Sequence, residues 1–438
     1  MSGNSPQTNR WALVGLLTLA AIIAYMDRLI LSVLFVPLSR GLSLSDTQMS
    51  VLQGGSFAVI YALAGLPLGM VADRLNRRNI IIGGVLLWSG ATIAGGFATT
   101  FTQLLLSRFV TGIGEAALFP AATSMIGDGV SLQRRGLALS LFVMGQMLGG
   151  GAAVTVGGIL LDLATHHAFD SIPVVGHLAP WGIVLVLVGS PGAALLLGLC
   201  FISEPPRRET AVERSAGTRE VLAQFIMRWK LVLPLYLALA CAALSDFSIG
   251  AWTPTLLSRH FGWSGTQIGV WFGGCLISSG LAAALLAGII SDWARRNQGG
   301  SGVLRWAAIA AAIAFACSAF ALMPTPPLLL SVLFAQSIAS STCSLICAIA
   351  IQVNLPNEVR GLGSALLSLG NILLGLGCGP TLVALATEHL YRNEKAVGAS
   401  IATVCAPAFV IGTLVLLTAS RRSGVQPQPT AALPHGVA

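Results

Sequence analysis

Gly69-Met-Val-Ala-Asp73-Arg-Leu-Asn-Arg77-Arg78 returns 219 positions later, with no gap, as the weaker copy Gly288-Ile-Ile-Ser-Asp292-Trp-Ala-Arg295-Arg296. The same displacement aligns Asp27 with Asp246, Ser39-Arg40 with Ser258-Arg259, and Ser45 with Ser264. It also aligns Thr47-Gln48 with Thr266-Gln267 and Gly54-Gly55 with Gly273-Gly274. Agreement at one fixed offset is poorly explained by coincidence. Each copy is a short charged loop between two long apolar runs, so the chain reads as two similar halves in parallel register. Such halves are related by a two-fold axis along the membrane normal, and the substrate site of such folds lies at the midplane between them.

Working outward from the loops, apolar runs of membrane length recur. A hydrocarbon core about 30 Å thick takes about 20 helical residues to cross. About twelve runs meet that length: 11–35, 47–72, 79–98, 101–126, 136–161 and 179–202 in the first half, then 231–257, 266–291, 303–323, 327–353, 361–386 and 397–420 in the second. The reading is an all-α integral membrane protein with twelve transmembrane helices in two pseudo-symmetric six-helix halves. A transmembrane barrel is excluded, because the runs lack the alternation that its strands require. Composition agrees: of 438 residues, 55% are hydrophobic and only 9% charged, which no ordinary soluble domain matches.

The net charge of +8 comes from 24 Lys and Arg against 16 Asp and Glu, and 22 of the cations are Arg. They gather in the loops. Counting by loop puts 18 on one side, including Arg74, Arg77, Arg78, Arg134, Arg135, Arg208, Arg214, Arg219, Arg228 and Arg360, against 4 on the other. That asymmetry makes the arginine-rich side cytoplasmic, with both termini there. Nucleic acid is not an expected partner; the lipid bilayer is, and a monomer is expected. The organisation is then an amino-terminal half (1–202), a cytoplasmic linker (203–229) and a carboxy-terminal half (230–438) ending in a disordered tail. The eight cysteines all lie inside apolar runs and read as packing residues, and His166, His167 and His177 as solvated loop residues. No metal or cofactor is expected, and without a Walker loop the chain is not an ATP-driven pump.

A side-chain charge at bilayer depth costs at least ~2.5–3.5 kcal/mol on insertion scales, so retained charges face a partner or a watery cavity. Five qualify: Asp27, Arg28, Arg108, Glu115 and Asp246. Arg108 and Glu115 are seven residues apart, hence on one helix face, and can line one cavity. Asp27 and Arg28 diverge by about 100°, so at most one points at the central axis while the other points toward the fourth helix. Burial favours a protonated carboxyl, whereas a neighbouring guanidinium favours the carboxylate. Asp27 and Glu115 are therefore candidate proton acceptors whose state leaves Arg28 and Arg108 paired or free to draw in an anionic substrate. In the second half the matching helix carries only neutral polar residues around Gln336 and Ser340, so this half contributes Asp246 and Asn371 to substrate binding. For Asp246 a hydrogen bond to Ser245 or Ser248 is the competing reading.

The loop Gly69 to Arg78 resembles the signature loop of the major facilitator superfamily, and Gly288 to Arg296 its second-half copy. Tyr25-Met-Asp27-Arg28, Gly65-Leu-Pro67-Leu-Gly69 and Arg108-Phe-Val-Thr-Gly-Ile-Gly114-Glu115-Ala-Ala-Leu-Phe-Pro120 are similar to the bacterial spinster-like branch, which neighbours the anion:cation symporters. Gly145-Gln-Met-Leu-Gly149-Gly150-Gly151 lacks the proline of the drug-antiporter signature. The resemblance implies a secondary transporter working by alternating access, with the proton as coupling ion, and not an enzyme. It also implies an anionic, amphipathic substrate such as a lysophospholipid or sphingoid phosphate. A proton symporter for a small organic acid is the alternative, and a non-transporting sensor a remote one. It further implies a conformational latch in which Gly69, Asp73, Arg77, Arg134, Arg135 and Asp292 hold the cytoplasmic ends together, with Asp73 pairing to Arg77 or across to Arg134 or Arg135.

Overall fold

The computed structural model describes residues 8–207, 229–354, 363 and 366–423. The expected linker beyond Arg207, with Arg208, Arg214, Arg219 and Arg228, lies outside the described residues, as do Arg360 and the tail after Ser423. Inside lipid every backbone N–H and C=O must be bonded within its own segment, so apolar runs of this length close into helices. The first half has α1 (Arg10–Gly41), α2 (Asp46–Arg74), α3 (Arg77–Gly96), α4 (Phe101–Gly129), α5 (Leu132–Thr165) and α6 (Pro180–Cys200). The second half starts with α7 (Val232–Phe261). Next comes one stretch of 58 residues, Gly265–Leu322, about 87 Å of helix at ~1.5 Å per residue and too long for one crossing. The backbone leaves the helical region at Gly299 (φ 69°), a left-handed position that suits glycine, and this divides the stretch into α8 (265–298) and α9 (300–322). After these come α10 (Pro326–Ile351), α11 (Leu366–Tyr391) and α12 (Glu394–Arg421), so the described residues hold eleven long apolar helical stretches, or twelve helices with Gly265–Leu322 divided at Gly299.

The repeat extends to local geometry. Ser45 caps α2 by accepting from the Gln48 N–H while the Gln48 side chain accepts from the Ser45 N–H; Ser264 and Gln267 do the same at α8. Each helix then passes through a π-helical turn, Val51–Gly55 in α2 and Ile268–Gly273 in α8. Such a turn holds about one extra residue and rotates everything beyond it by about 100° relative to a regular helix.

Buried apolar side chains form three clusters, and their distribution opens the site. One lies within the first half around Leu17, Trp88, Met125 and Phe142, and one within the second around Leu235, Ala307, Cys347 and Leu416. The third is shared by both halves: Phe35, Leu52, Trp252, Phe272, Phe320 and Phe409 belong to it, and the Phe35 and Trp252 rings lie 4.7 Å apart. This shared cluster occupies the ends of the helices remote from the arginine-rich loops. The halves are therefore packed together on one side of the molecule and separate toward the other. Gly158 makes the seal close, because a Cβ there would collide with the carbonyl of Gly265.

Candidate functional site

Between the halves lies a cavity of about 930 Å³. Its deep end carries polar side chains: Tyr25, Arg28 and Ser32 of α1, Gln53 of α2 and Asp246 of α7. From there apolar walls run along α5 (Leu139, Val143, Met147), α8 (Ile277, Leu281) and α10 (Leu345, Ile349), toward the arginine-rich face.

The opposite end is closed by polar bonds across the halves. Arg259 at the end of α7 forks onto Asp46 at the start of α2, with Nη1 to Oδ2 at 2.9 Å and Nη2 to Oδ1 at 2.7 Å. Glu388 of α11 accepts from the Thr47 backbone N–H at 2.9 Å and from its hydroxyl at 2.5 Å. Asp162 of α5 accepts from the N–H groups of Gly265 and Thr266 at 2.9 and 2.8 Å. Thus the corresponding helices α2 and α8 each have their free N-terminal amides met by a carboxylate of the other half, where the helix dipole favours negative charge. Sequence reasoning passed over Asp162 and Glu388. The matching capping boxes at Ser45 and Ser264 were the signal, since they mark two helix starts with further amides to satisfy.

At bilayer depth the four charges of the first half sort into two pairs. Arg28 donates from Nε and Nη2 to Glu115 Oε2 at 3.0 and 2.8 Å, and both residues are at most 4% exposed. Three rings surround the guanidinium of Arg28: Tyr25, Phe57 and Tyr61 have centroids 4.4, 4.7 and 4.9 Å away. Aromatic faces stabilise a cation most strongly where water is scarce. Asp27 instead accepts from the Thr92 hydroxyl at 2.5 Å and lies 3.8 Å from Arg108. Arg108 also donates to the carbonyls of Asp27 and Arg28 at 3.4 and 3.3 Å. The divergence expected of Asp27 and Arg28 is resolved: Arg28 borders the cavity, and Asp27 faces α3 and α4.

The other candidate residues stand unevenly around the cavity. Arg108 and Glu115 do share a helix, but neither lines the cavity, because their side chains are consumed by α1, Glu115 by Arg28 and Arg108 by the Asp27 turn. Asn371 begins a π-helical turn of α11 and is not on the cavity wall. Asp246 is on the wall, but its hydrogen bond comes from Ser340 of α10 at 2.6 Å; Ser245 and Ser248 bond back to Cys241 and Leu244 of their own helix.

Arg77 does not pair with Asp73. As the first residue of α3 it is buried, reaching Asp128 at 2.5 Å and Glu204 at 2.8 Å, with Ser124 and the Pro205 carbonyl beside it. It fastens α3, α4 and the start of the linker within one half. Asp73 is exposed and has no ion-pair partner among the described residues, while Arg207 donates to the Ala72, Asp73 and Leu75 carbonyls that end α2. A cation at a helix C-terminus is electrostatically favoured. Gly69 is half-buried, Asp292 and Arg134 are exposed, and Arg135 is half-buried.

The chain is 29% identical over 418 residues to an MFS-type efflux pump of Mycolicibacterium smegmatis, covering 94% of this chain and 93% of that protein. It is 27% identical over 256 residues to a sphingosine-1-phosphate transporter of Danio rerio, covering 56% of this chain and 47% of the relative. In fold it matches a bacterial homolog of the human lysosomal transporter Spinster, solved in an inward-facing, unoccupied conformation, with TM-score 0.78 and 24% identity over 95% of this chain and 96% of that one. The model of the Major Facilitator Superfamily matches residues 17–304 and 235–437, and with nearly the whole chain covered, this protein belongs to that superfamily, with spinster transporters among its relatives.

Proposed function

We propose that the protein is a proton-coupled secondary transporter that moves an anionic, amphipathic organic molecule by alternating access. The observation that carries this reading is the cavity itself: one guanidinium, Arg28, at its deep end, and mostly apolar side chains from α5, α8 and α10, with a few serines among them, along the rest. A headgroup with two anionic oxygens suits the planar fork of Arg28, and a hydrocarbon chain suits the walls. The likeness to a sphingosine-1-phosphate transporter supports the same substrate class.

Coupling runs through Glu115. Ionised, it holds two of the guanidinium nitrogens of Arg28. Protonated, it gives up that charge-assisted pair, and Arg28 becomes free to bind an anion. Proton and substrate are then linked through one cation. Asp27 is the second proton acceptor, and with Arg108 it sets how α1, α3 and α4 lie. The arginine-rich face is cytoplasmic, in a bacterial inner membrane, so the present conformation opens inward with its outer seal made. On the cytoplasmic side Asp73 is the latch residue, unpaired here because its partners meet only when the inner ends close.

The test is transport in proteoliposomes with and without an imposed pH gradient. Lysophospholipid or sphingoid-phosphate movement that follows the gradient in the wild-type protein and loses that dependence in Glu115→Gln supports the scheme. Full pH dependence in Glu115→Gln removes Glu115 from it. Movement of small organic acids but no lysolipid replaces the amphipathic substrate with the acid.

A further inference from the structure

Asp27 and Asp246 occupy equivalent positions of the two halves, yet their surroundings differ. Asp27 is 1% exposed and sits between Thr92 and Arg108. Asp246 is only half-buried and lines the cavity, its Oδ1 accepts from the Ser340 hydroxyl, and no cation pairs with it among the described residues. Its Oδ2 has no hydrogen-bond partner there. The intramembrane charges of the first half balance, two guanidinium groups against two carboxylates, so the wall opposite Arg28 carries one uncompensated acid.

Two further acceptors stand beside it. Ser337 and Ser341, one turn apart on α10 and on the stripe that includes Ser340, both line the cavity. Most serines in these helices bond back to a carbonyl of the preceding turn, as Ser331 does to Pro327. Ser337 and Ser341 make no hydrogen bond among the described residues, which leaves two hydroxyl oxygens and one carboxylate oxygen unused along a single stretch of cavity wall. An ammonium group has three N–H donors and no acceptor, and so matches that set. Arg28, on the facing half, also borders the cavity, with its Nε and Nη2 held by Glu115.

We propose that Asp246, Ser337 and Ser341 form an ammonium-binding subsite, and that the substrate is a zwitterion whose phosphate or carboxylate meets Arg28 while its amine meets Asp246. This rests on the amphipathic-anion reading and narrows it. A zwitterion bridges the two halves with one charge on each, so bound substrate ties the halves together at mid-membrane. An anion without the amine leaves the Asp246 carboxylate facing the cavity unpaired, at a cost that its affinity must carry.

The experiment compares sphinganine phosphate with its N-acetyl derivative, which keeps the chain and the phosphate but has no ammonium. Both are titrated against the purified full-length protein in nanodiscs, by ligand-induced thermal stabilisation and by direct binding. The wild-type protein is expected to bind the free amine about tenfold more tightly, and Asp246→Asn to abolish that preference by weakening only the amine. Ser341→Ala retains the carboxylate and serves as the second variant should the Asn protein fail to fold; its preference is expected to fall about two- to threefold. Equal binding of both compounds by the wild-type protein, or an undiminished preference in Asp246→Asn or Ser341→Ala, overturns the ammonium subsite alone. Binding of neither compound overturns the amphipathic-anion reading, and this subsite with it.

Discussion

The two halves share a backbone plan down to the capping boxes and π-helical turns of α2 and α8, yet their polar interiors differ in kind. The first half buries four charges as two pairs; the second carries one half-buried carboxylate held by a serine. A repeated fold thus preserves the geometry of a binding site while each copy carries separate chemistry. In the first half an acid holds a cation, the arrangement that the proposed coupling uses. In the second, an acid without a cation is available to a ligand.

The largest effect that would sharpen this contrast is expected from Arg28→Ala. Removing one partner of a buried ion pair costs about 3–5 kcal/mol, because Glu115 stays buried without its counter-ion. Substrate-induced thermal stabilisation should vanish and the unliganded protein should melt earlier; retained substrate binding would move the anion site away from the first half. Next comes pH. Since protonation of Glu115 frees Arg28, wild-type affinity for an anionic lipid should rise as pH falls, whereas Glu115→Gln should bind tightly across the range. Titrations at several pH values check the sign, and an affinity that rises with pH breaks the comparison.

A middle-sized effect is expected at the seal, where the halves act alike. Asp162→Asn and Glu388→Gln each remove the charge from bonds to helix-start amides, worth about 1 kcal/mol or somewhat more. Spin-label distances across the outer ends should show similar gains of the outward-open population in the two variants. A response from only one would show that the seal is not shared equally. The smallest effect on stability is expected from Asp73→Asn, within about 0.5 kcal/mol, because that carboxylate is exposed and unpaired. The same variant should nevertheless lower the outward-open population, where its latch forms; unchanged populations would eliminate the latch.

The fold was legible because membrane helices announce themselves by run length and the offset of 219 residues ties the halves together. One boundary was less sharp: the eighth and ninth crossings join into a single helical stretch broken only at Gly299. The five intramembrane charges were legible from their cost alone, but their pairing was not. Spacing places Arg108 and Glu115 on one face without saying that α1 claims both. Nor could it assemble Phe57 and Tyr61 around Arg28, because the π-helical turn at Val51–Gly55 rotates the rest of α2 away from regular helical phase. The surroundings of Arg77 were not legible either: nothing in the loop's own spacing says that Glu204 and Asp128, far along the chain, draw it inward.

The arrangement of Asp162 and Glu388 over the starts of α8 and α2 has a further result. When the outer ends part, the amides of Thr47, Gly265 and Thr266 lose their carboxylates and turn to water. Two bare positive poles then flank the open mouth, and the released carboxylates turn to water. Dissolved anions offset such poles, so the balance between the two conformations should depend on which salt bathes the membrane as well as on its concentration.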